Sequence, residues 1–226
     1  MIASPGALAV IPARGGSKGI PAKNLQAVGG LSLVARSVQA ALASRGVERV
    51  VVSTDDDAIA AEAQAHGADV VRRPADLSGD TASSESALLH ALETLDEQGP
   101  LPARLVFLQC TSPFTSGAQI DQVLAALEDP VINSAFAVAP WHGFLWRLDG
   151  RGINHDPQQP RQRRQDLEPA FLETGAIYAM TTAAFRASGS RFCAPWQPVV
   201  IADSGPEIDS PADLELCRSL AAQTSS

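Results

Sequence analysis

Short apolar runs alternate with helical periods from the start of this chain, and that rhythm restricts its fold more than any other feature. Residues 7–11, Ala7-Leu8-Ala9-Val10-Ile11, are continuously apolar, as in a strand covered on both faces. Residues 31–42 carry Leu31, Val34, Val38, Ala41 and Leu42 on one side of a helix, and Gly46 follows as a stop. Residues 49–53 are a β-branched run. Thr54-Asp55-Asp56-Asp57 then opens a helix to about residue 66, its acids suited to the helix dipole, and residues 68–71 make a third strand. This β-α-β-α-β order predicts an α/β domain with a Rossmann-like, doubly wound, mainly parallel sheet.

The rhythm continues with a helix over residues 84–97, a strand at 105–109, a helix at 118–128 and a strand at 135–139. Strands at 175–179 and 199–201 follow, with a short helix at 182–187 between them. Pro211 stands at the start of a last helix, reaching about residue 222 with Leu214, Cys217 and Leu220 inward. No repeat or linker divides the 226 residues, so a single domain over 1–226 is expected. Between 140 and 172 the periodicity fails. Trp141, Phe144 and Trp146 lead into a stretch rich in Gly, Asp, Pro, Gln and Arg, too long for an idle connection. A lid, a dimer arm or both are expected there.

Between the first strand and the first helix lies Pro12-Ala13-Arg14-Gly15-Gly16-Ser17-Lys18-Gly19-Ile20-Pro21-Ala22-Lys23-Asn24. Glycines let backbone N–H groups turn outward, and Arg14, Lys18 and Lys23 add charge, so the loop is suited to a polyphosphate. The chain has fifteen arginines but only two lysines, and both lysines are in this loop. Two compact point charges where arginine serves elsewhere point to a specific need. A solvated loop with incidental charge is the alternative. The Walker and dinucleotide-binding glycine spacings are both absent.

A net charge of −8 argues against a general nucleic-acid or anionic-membrane surface. An anionic substrate must then meet local basic islands: the opening loop, Arg72-Arg73, and Arg161 with Arg163 and Arg164. The N-terminus has no secretory pattern and no stretch reaches membrane-spanning length, so a cytoplasmic protein is expected. Cys110, Cys193 and Cys217 show no metal spacing and read as reduced thiols. Glu207 and Asp209 flank Ile208, so an extended backbone points both carboxylates to one side, where two hard oxygens suit Mg²⁺. A turn leading into a capped helix is the competing reading of the same residues.

The loop Ile11-Pro12-Ala13-Arg14-Gly15-Gly16-Ser17-Lys18-Gly19-Ile20-Pro21-Ala22-Lys23-Asn24 resembles the opening motif of the acylneuraminate cytidylyltransferases, and the matches continue in order to Leu214. Arg73-Pro74-Ala75-Asp76-Leu77 with Asp80-Thr81-Ala82-Ser83-Ser84, Gln109-Cys110-Thr111-Ser112-Pro113, Arg164-Gln165-Asp166-Leu167, Gly175-Ala176-Ile177-Tyr178 and Glu207-Ile208-Asp209 are similar to further family segments. The resemblance implies a fold of the nucleotide-diphospho-sugar transferase type and cytidylyl transfer from CTP to a nonulosonic acid. N-acetylneuraminic acid is the first expectation, and legionaminic, pseudaminic or Kdo acid the alternative. It implies Arg14, Lys18 and Lys23 as catalytic cations, and Arg14, Ser17, Asn24, Arg73, Ala82 and Ser84 as nucleotide ligands. Gln109, Arg164, Gln165 and Tyr178 would meet the sugar, Asp209 and Glu207 would hold Mg²⁺, and the excursion at 140–172 would serve a homodimer.

Four departures from the family pattern stand out: Cys110 for proline, Thr174 for asparagine, Glu207 for aspartate, and no lysine in the excursion. A CMP-Kdo synthetase should show a Q-G-D-E-P-like segment where this chain has residues 109–113. A non-catalytic nucleotide-binding module should lose the lysines or the metal acids, and this chain keeps both.

Overall fold

In the computed structural model, residues 6–224 are described apart from Lys18 and Asp80, and Arg164 and Thr224 are described by backbone alone. The strands are β1 (Ala7–Pro12), β2 (Ala27–Val28), β3 (Leu31–Ser32), β4 (Val47–Thr54), β5 (Asp69–Arg72), β6 (Arg104–Leu108), β7 (Ser134–Trp141), β8 (Ala170–Thr181) and β9 (Trp196–Val200). The helices are α1 (Leu33–Leu42), α2 (Asp57–Ala65), α3 (Ser84–Asp96), α4 (Gly117–Ala125), α5 (Thr182–Ser188) and α6 (Pro211–Thr224).

Strand β1 lies in the middle because every residue from Ala7 to Ile11 is apolar and can be buried on either face. Ala7, Ala9 and Ile11 belong to the core layer that includes α1, α2, α4 and α6, while Leu8 and Val10 belong to the layer that includes α3 and α5. Burying each of the larger side chains contributes about 1.5–3 kcal/mol, which favours such a strand at the centre over the edge. The seven-stranded sheet has the order β5-β4-β1-β6-β8-β7-β9. Strands β5, β4, β1 and β6 are mutually parallel and β7 pairs parallel with β9, whereas β8 is antiparallel to both its neighbours. The order reverses between β1 and β6. In such sheets that point opens a crevice at the strands' carboxyl ends.

Three local expectations change. The first helix begins at Leu33, because Leu31 and Ser32 pair with Ala27 and Val28 across Gly29-Gly30. Both glycines have positive φ (60° and 82°), as a two-residue hairpin turn with right-handed strand twist requires. Ser32 then caps α1, its hydroxyl accepting from Ala35 N at 3.1 Å, and Leu42 at the far end is half exposed rather than inward. Strand β8 is twelve residues long, adding residues 180–181 at one end and 170–174 at the other, whose largely exposed pattern hides their pairing with β7. The irregular excursion accordingly shrinks to residues 142–169, carried between β7 and β8 as the tip of a long antiparallel pair.

Candidate active site

The carboxyl ends of β1, β5 and β6 and the N-terminus of α3 enclose a cleft of about 320 Å³. Arg14, Gly16, Ser17, Lys23 and Asn24 line it from the loop after β1, and Arg73 from the turn after β5. Ala82, Ser83 and Ser84 line it at the start of α3, and Gln109 and Thr111 after β6. Of the positions expected from the sequence, Arg14, Ser17, Lys23, Asn24, Arg73, Ala82, Ser84 and Gln109 therefore converge on one space. Lys18 lies outside the described residues.

The loop is held open from behind. Asn24 Nδ2 donates to the Arg14 carbonyl at 3.0 Å, and Arg14 Nη1 donates to the Gly79 carbonyl at 3.0 Å. The Gly15 amide donates to Asp55 Oδ1 at 3.1 Å, and a Cβ on Gly15 would lie 2.6 Å from Asp56 Oδ2. A side chain there would push Asp56 out of its place. The run Thr54-Asp55-Asp56-Asp57 therefore divides its labour: Asp56 caps α2 by accepting from Ala58 N and Ile59 N, while Asp55 supports the loop. Ala22 has φ of 46°, the one left-handed non-glycine among the described residues, and it precedes the short helical turn that carries Lys23. Backbone strain of roughly 1–3 kcal/mol is held where the loop aims its lysine.

Arg73 is the buried cation of the cleft, 8% exposed. Its Nε and Nη2 have no hydrogen-bond partner among the described residues, and Asp55 Oδ1 stands 3.9 Å from Nη2, too far for a hydrogen bond. Burial pulls the guanidinium below its ordinary pKa, with Asp55 opposing and Arg14 adding to the shift. A desolvated donor pair of this kind is built for an acceptor brought by a ligand. Ser83 caps α3, accepting from Ser86 N at 3.0 Å, so the amide end of that helix borders the same space.

Beside the cleft, Lys23 Nζ lies 3.3 Å from Asp209 Oδ1. The lysine is only 14% exposed and the aspartate 75%. Glu207 Oε1 accepts from Thr111 Oγ1 at 3.0 Å. Burial, then repulsion from Asp209 and Glu173, raises the Glu207 carboxyl above the usual range, against the hydrogen bond from Thr111 and the charge of Lys23. Capping of α6 belongs to Ser210 and Asp213, since Ser210 Oγ accepts from Asp213 N and Asp213 Oδ2 accepts from Ser210 N. Asp209 is therefore spared for other work. No cluster of three or more His, Cys, Asp or Glu among the described residues forms a metal cage. Glu207 and Asp209 offer two carboxylates, the hard-oxygen donor type that would suit Mg²⁺.

The remaining sugar-side expectations fall away from the cleft lining. Tyr178 is in the core: its ring stacks on Phe107 at 5.3 Å and its hydroxyl is bonded to the Glu173 carboxylate. Burial first, and then that hydrogen bond, raises its pKa. Its position follows from strand parity, for Tyr178 and Met180 both face α3 and α5. Gln165 is exposed on the short turn Arg164–Asp166, and the Arg164 side chain lies outside the described part. Arg163 pairs with Asp166 at 3.0 Å, and Arg161 lies over the Phe144 ring at 4.4 Å, so this basic island belongs to the excursion. Cys110 is buried and its thiol is pushed up to about 12 by desolvation, as an inert core thiol would be. Sequence reasoning missed Asp55 and Thr111. Both stood in quoted motifs, but neither motif says which way its side chains turn.

A family model described as cytidylyltransferase matches residues 8–143. N-acylneuraminate cytidylyltransferase of Oncorhynchus mykiss is 34% identical over 182 residues, covering 77% of this chain and 41% of that protein. Pseudaminic acid cytidylyltransferase of Campylobacter jejuni is 30% identical over 226 residues, covering 94% of this chain and 95% of that one. The chain thus spans less than half the length of the fish protein and nearly all of the bacterial one. A solved structure of CMP:2-keto-3-deoxy-manno-octonic acid synthetase complexed with CTP matches with a TM-score of 0.73 at 22% identity, covering 97% of this chain and 99% of that chain. That likeness shows the fold.

Proposed function

We propose a specific reaction for this chain, which belongs to the cytidylyltransferase family: transfer of a cytidylyl group from CTP to a nonulosonic acid. The acid's anomeric hydroxyl oxygen attacks the α-phosphorus in line and gives up its proton to water, the bond to the bridging oxygen of the β-phosphate breaks, and pyrophosphate leaves. Arg14 and Lys23 neutralise the triphosphate, and the amides of the glycine loop orient it. Arg73, with the start of α3, holds the base. Asp209 and Glu207 would hold Mg²⁺, which when bound supplies further charge neutralisation to phosphate oxygens.

The observation that carries this reading is the convergence of two loop cations and a buried guanidinium with two unpartnered nitrogens at the β1/β6 crevice, with two carboxylates beside it. Within the substrate class, N-acetylneuraminic acid is our first choice, in keeping with the O. mykiss relative named for N-acylneuraminate; the C. jejuni relative, named for pseudaminic acid, supports that acid as the second. Pyrophosphate release measured over CTP, UTP, ATP and GTP, with a panel of nonulosonic acids, tests both levels. CTP is expected to react far faster than the other three, because a wrong base leaves polar groups unpaired. Equal rates with all four nucleotides would sink the base-reading role of Arg73 and the α3 terminus.

The working unit we propose is a homodimer. Trp141, Leu145, Trp146, Phe171 and Leu172 are exposed along the β7–β8 extension, and side chains of this size rarely gather on a free surface. Sedimentation velocity at micromolar concentration should give a dimer. A monomer there would remove the interface from this face.

A further inference from the structure

The nucleotide cleft and the 207–209 segment are tied together by one residue, Thr111. Its side-chain hydroxyl donates to Glu207 Oε1 at 3.0 Å, and its carbonyl accepts from Ile208 N at 2.8 Å. Ile208 is fully buried, so the second bond anchors the segment to the core as well as to the loop after β6. On another side of the carboxylate stands Gly175, left-handed at φ 68°, where an added Cβ would lie 3.1 Å from Oε1 and 3.3 Å from Oε2. Glu207 is therefore packed against β8 and hydrogen-bonded to the loop after β6.

A carboxylate in this position needs such a hold. Among the described residues, Asp209 and Glu173 repel it and Lys23 attracts it. Glutamate also has one more rotatable bond than aspartate, so an unheld side chain has more ways to turn aside. We propose that Thr111 is a positioning residue for Glu207, fixing the carboxylate of the longer side chain so that it faces the metal site with Asp209. The inference rests on the metal reading of Glu207 and Asp209 under the proposed function.

The test is Mn²⁺ binding to the whole protein in the presence of CTP and without sugar acid, read by electron paramagnetic resonance of free Mn²⁺. Thr111→Val keeps the shape and removes the donor; Thr111→Ser restores it. Thr111→Val should weaken Mn²⁺ binding on the order of tenfold, the effect of losing a hydrogen bond to a charged group. Thr111→Ser should recover most of the loss; both variants should unfold cooperatively, with the midpoint of Thr111→Val lowered by the lost hydrogen bond and that of Thr111→Ser close to wild type. Glu207→Asp withdraws the carboxylate from Thr111, so Thr111→Val should add little in that background. Wild-type Mn²⁺ affinity in Thr111→Val, with weakened binding in Glu207→Gln, would overturn the positioning role while leaving the metal reading intact. Fully multiplicative losses in the Thr111→Val/Glu207→Asp pair would overturn it too. Unchanged affinity in Glu207→Gln would instead overturn the metal reading and the positioning role with it.

Discussion

Replacing Lys23 with alanine is expected to lower kcat/KM for CTP by about 100- to 1,000-fold, the usual cost of deleting one preorganised stabilising group from a site of charge transfer. The side chain is well placed for that role. It is largely withdrawn from water, lines the cleft, and lies between the glycine loop and Asp209. Poorly solvated charge acts strongly on a bound phosphate, whereas a solvated lysine would be screened. Stability should change little. The ion pair with Asp209 has one largely exposed member, and such pairs contribute about 0–1 kcal/mol. Lys23→Arg should recover only part of the loss, because a planar fork replaces a compact charge in a confined position. Initial rates of pyrophosphate release, alongside thermal unfolding of each variant, check these expectations. A near-normal kcat/KM in Lys23→Ala with a folded protein would mean that the loop does not cradle the triphosphate.

Asp209→Asn is expected to produce the second large effect, and it separates metal binding from structural roles. The substitution preserves shape and removes one formal charge beside Lys23 and Glu207. The Mg²⁺ concentration for half-maximal activity should rise well above that of the parent, and the maximal rate should fall even at saturating metal. The α6 cap should survive, since Ser210 and Asp213 make it without the Asp209 side chain. Glu207→Asp should be tolerated far better, because it keeps the charge and shortens the reach alone. Titration of activity against Mg²⁺ at saturating CTP distinguishes the outcomes. Lost activity with an unchanged Mg²⁺ requirement would assign Asp209 to orienting Lys23, to which it is already bonded. Full activity of Asp209→Asn at low Mg²⁺ would remove it from the metal site altogether.

Much of this molecule was legible without coordinates because the relevant information is local. Continuous apolar runs of five residues have few places to go other than a covered strand, and α3 announces its buried face through Leu88, Ala91, Leu92 and Leu95. The glycine-rich loop with its two lysines likewise carries its chemistry within fifteen consecutive residues. The direction of β8 was not legible. A strand has the same alternation whichever way it runs, and its antiparallel course follows from the hairpin with β7 that carries the excursion. Nor could the motif containing Tyr178 say that its ring would stack on Phe107 rather than line the cleft. That depends on which face of the sheet the residue meets, and on Phe107 lying opposite it in the neighbouring strand. The same holds for the contacts that make the site. Lys23 meets Asp209 across 186 residues and Thr111 meets Glu207 across 96. Each residue type was readable in its own segment. The pairings were decided by the parallel wrapping that brings several strand ends to one side of the sheet, where charges remote in sequence are held close enough to matter.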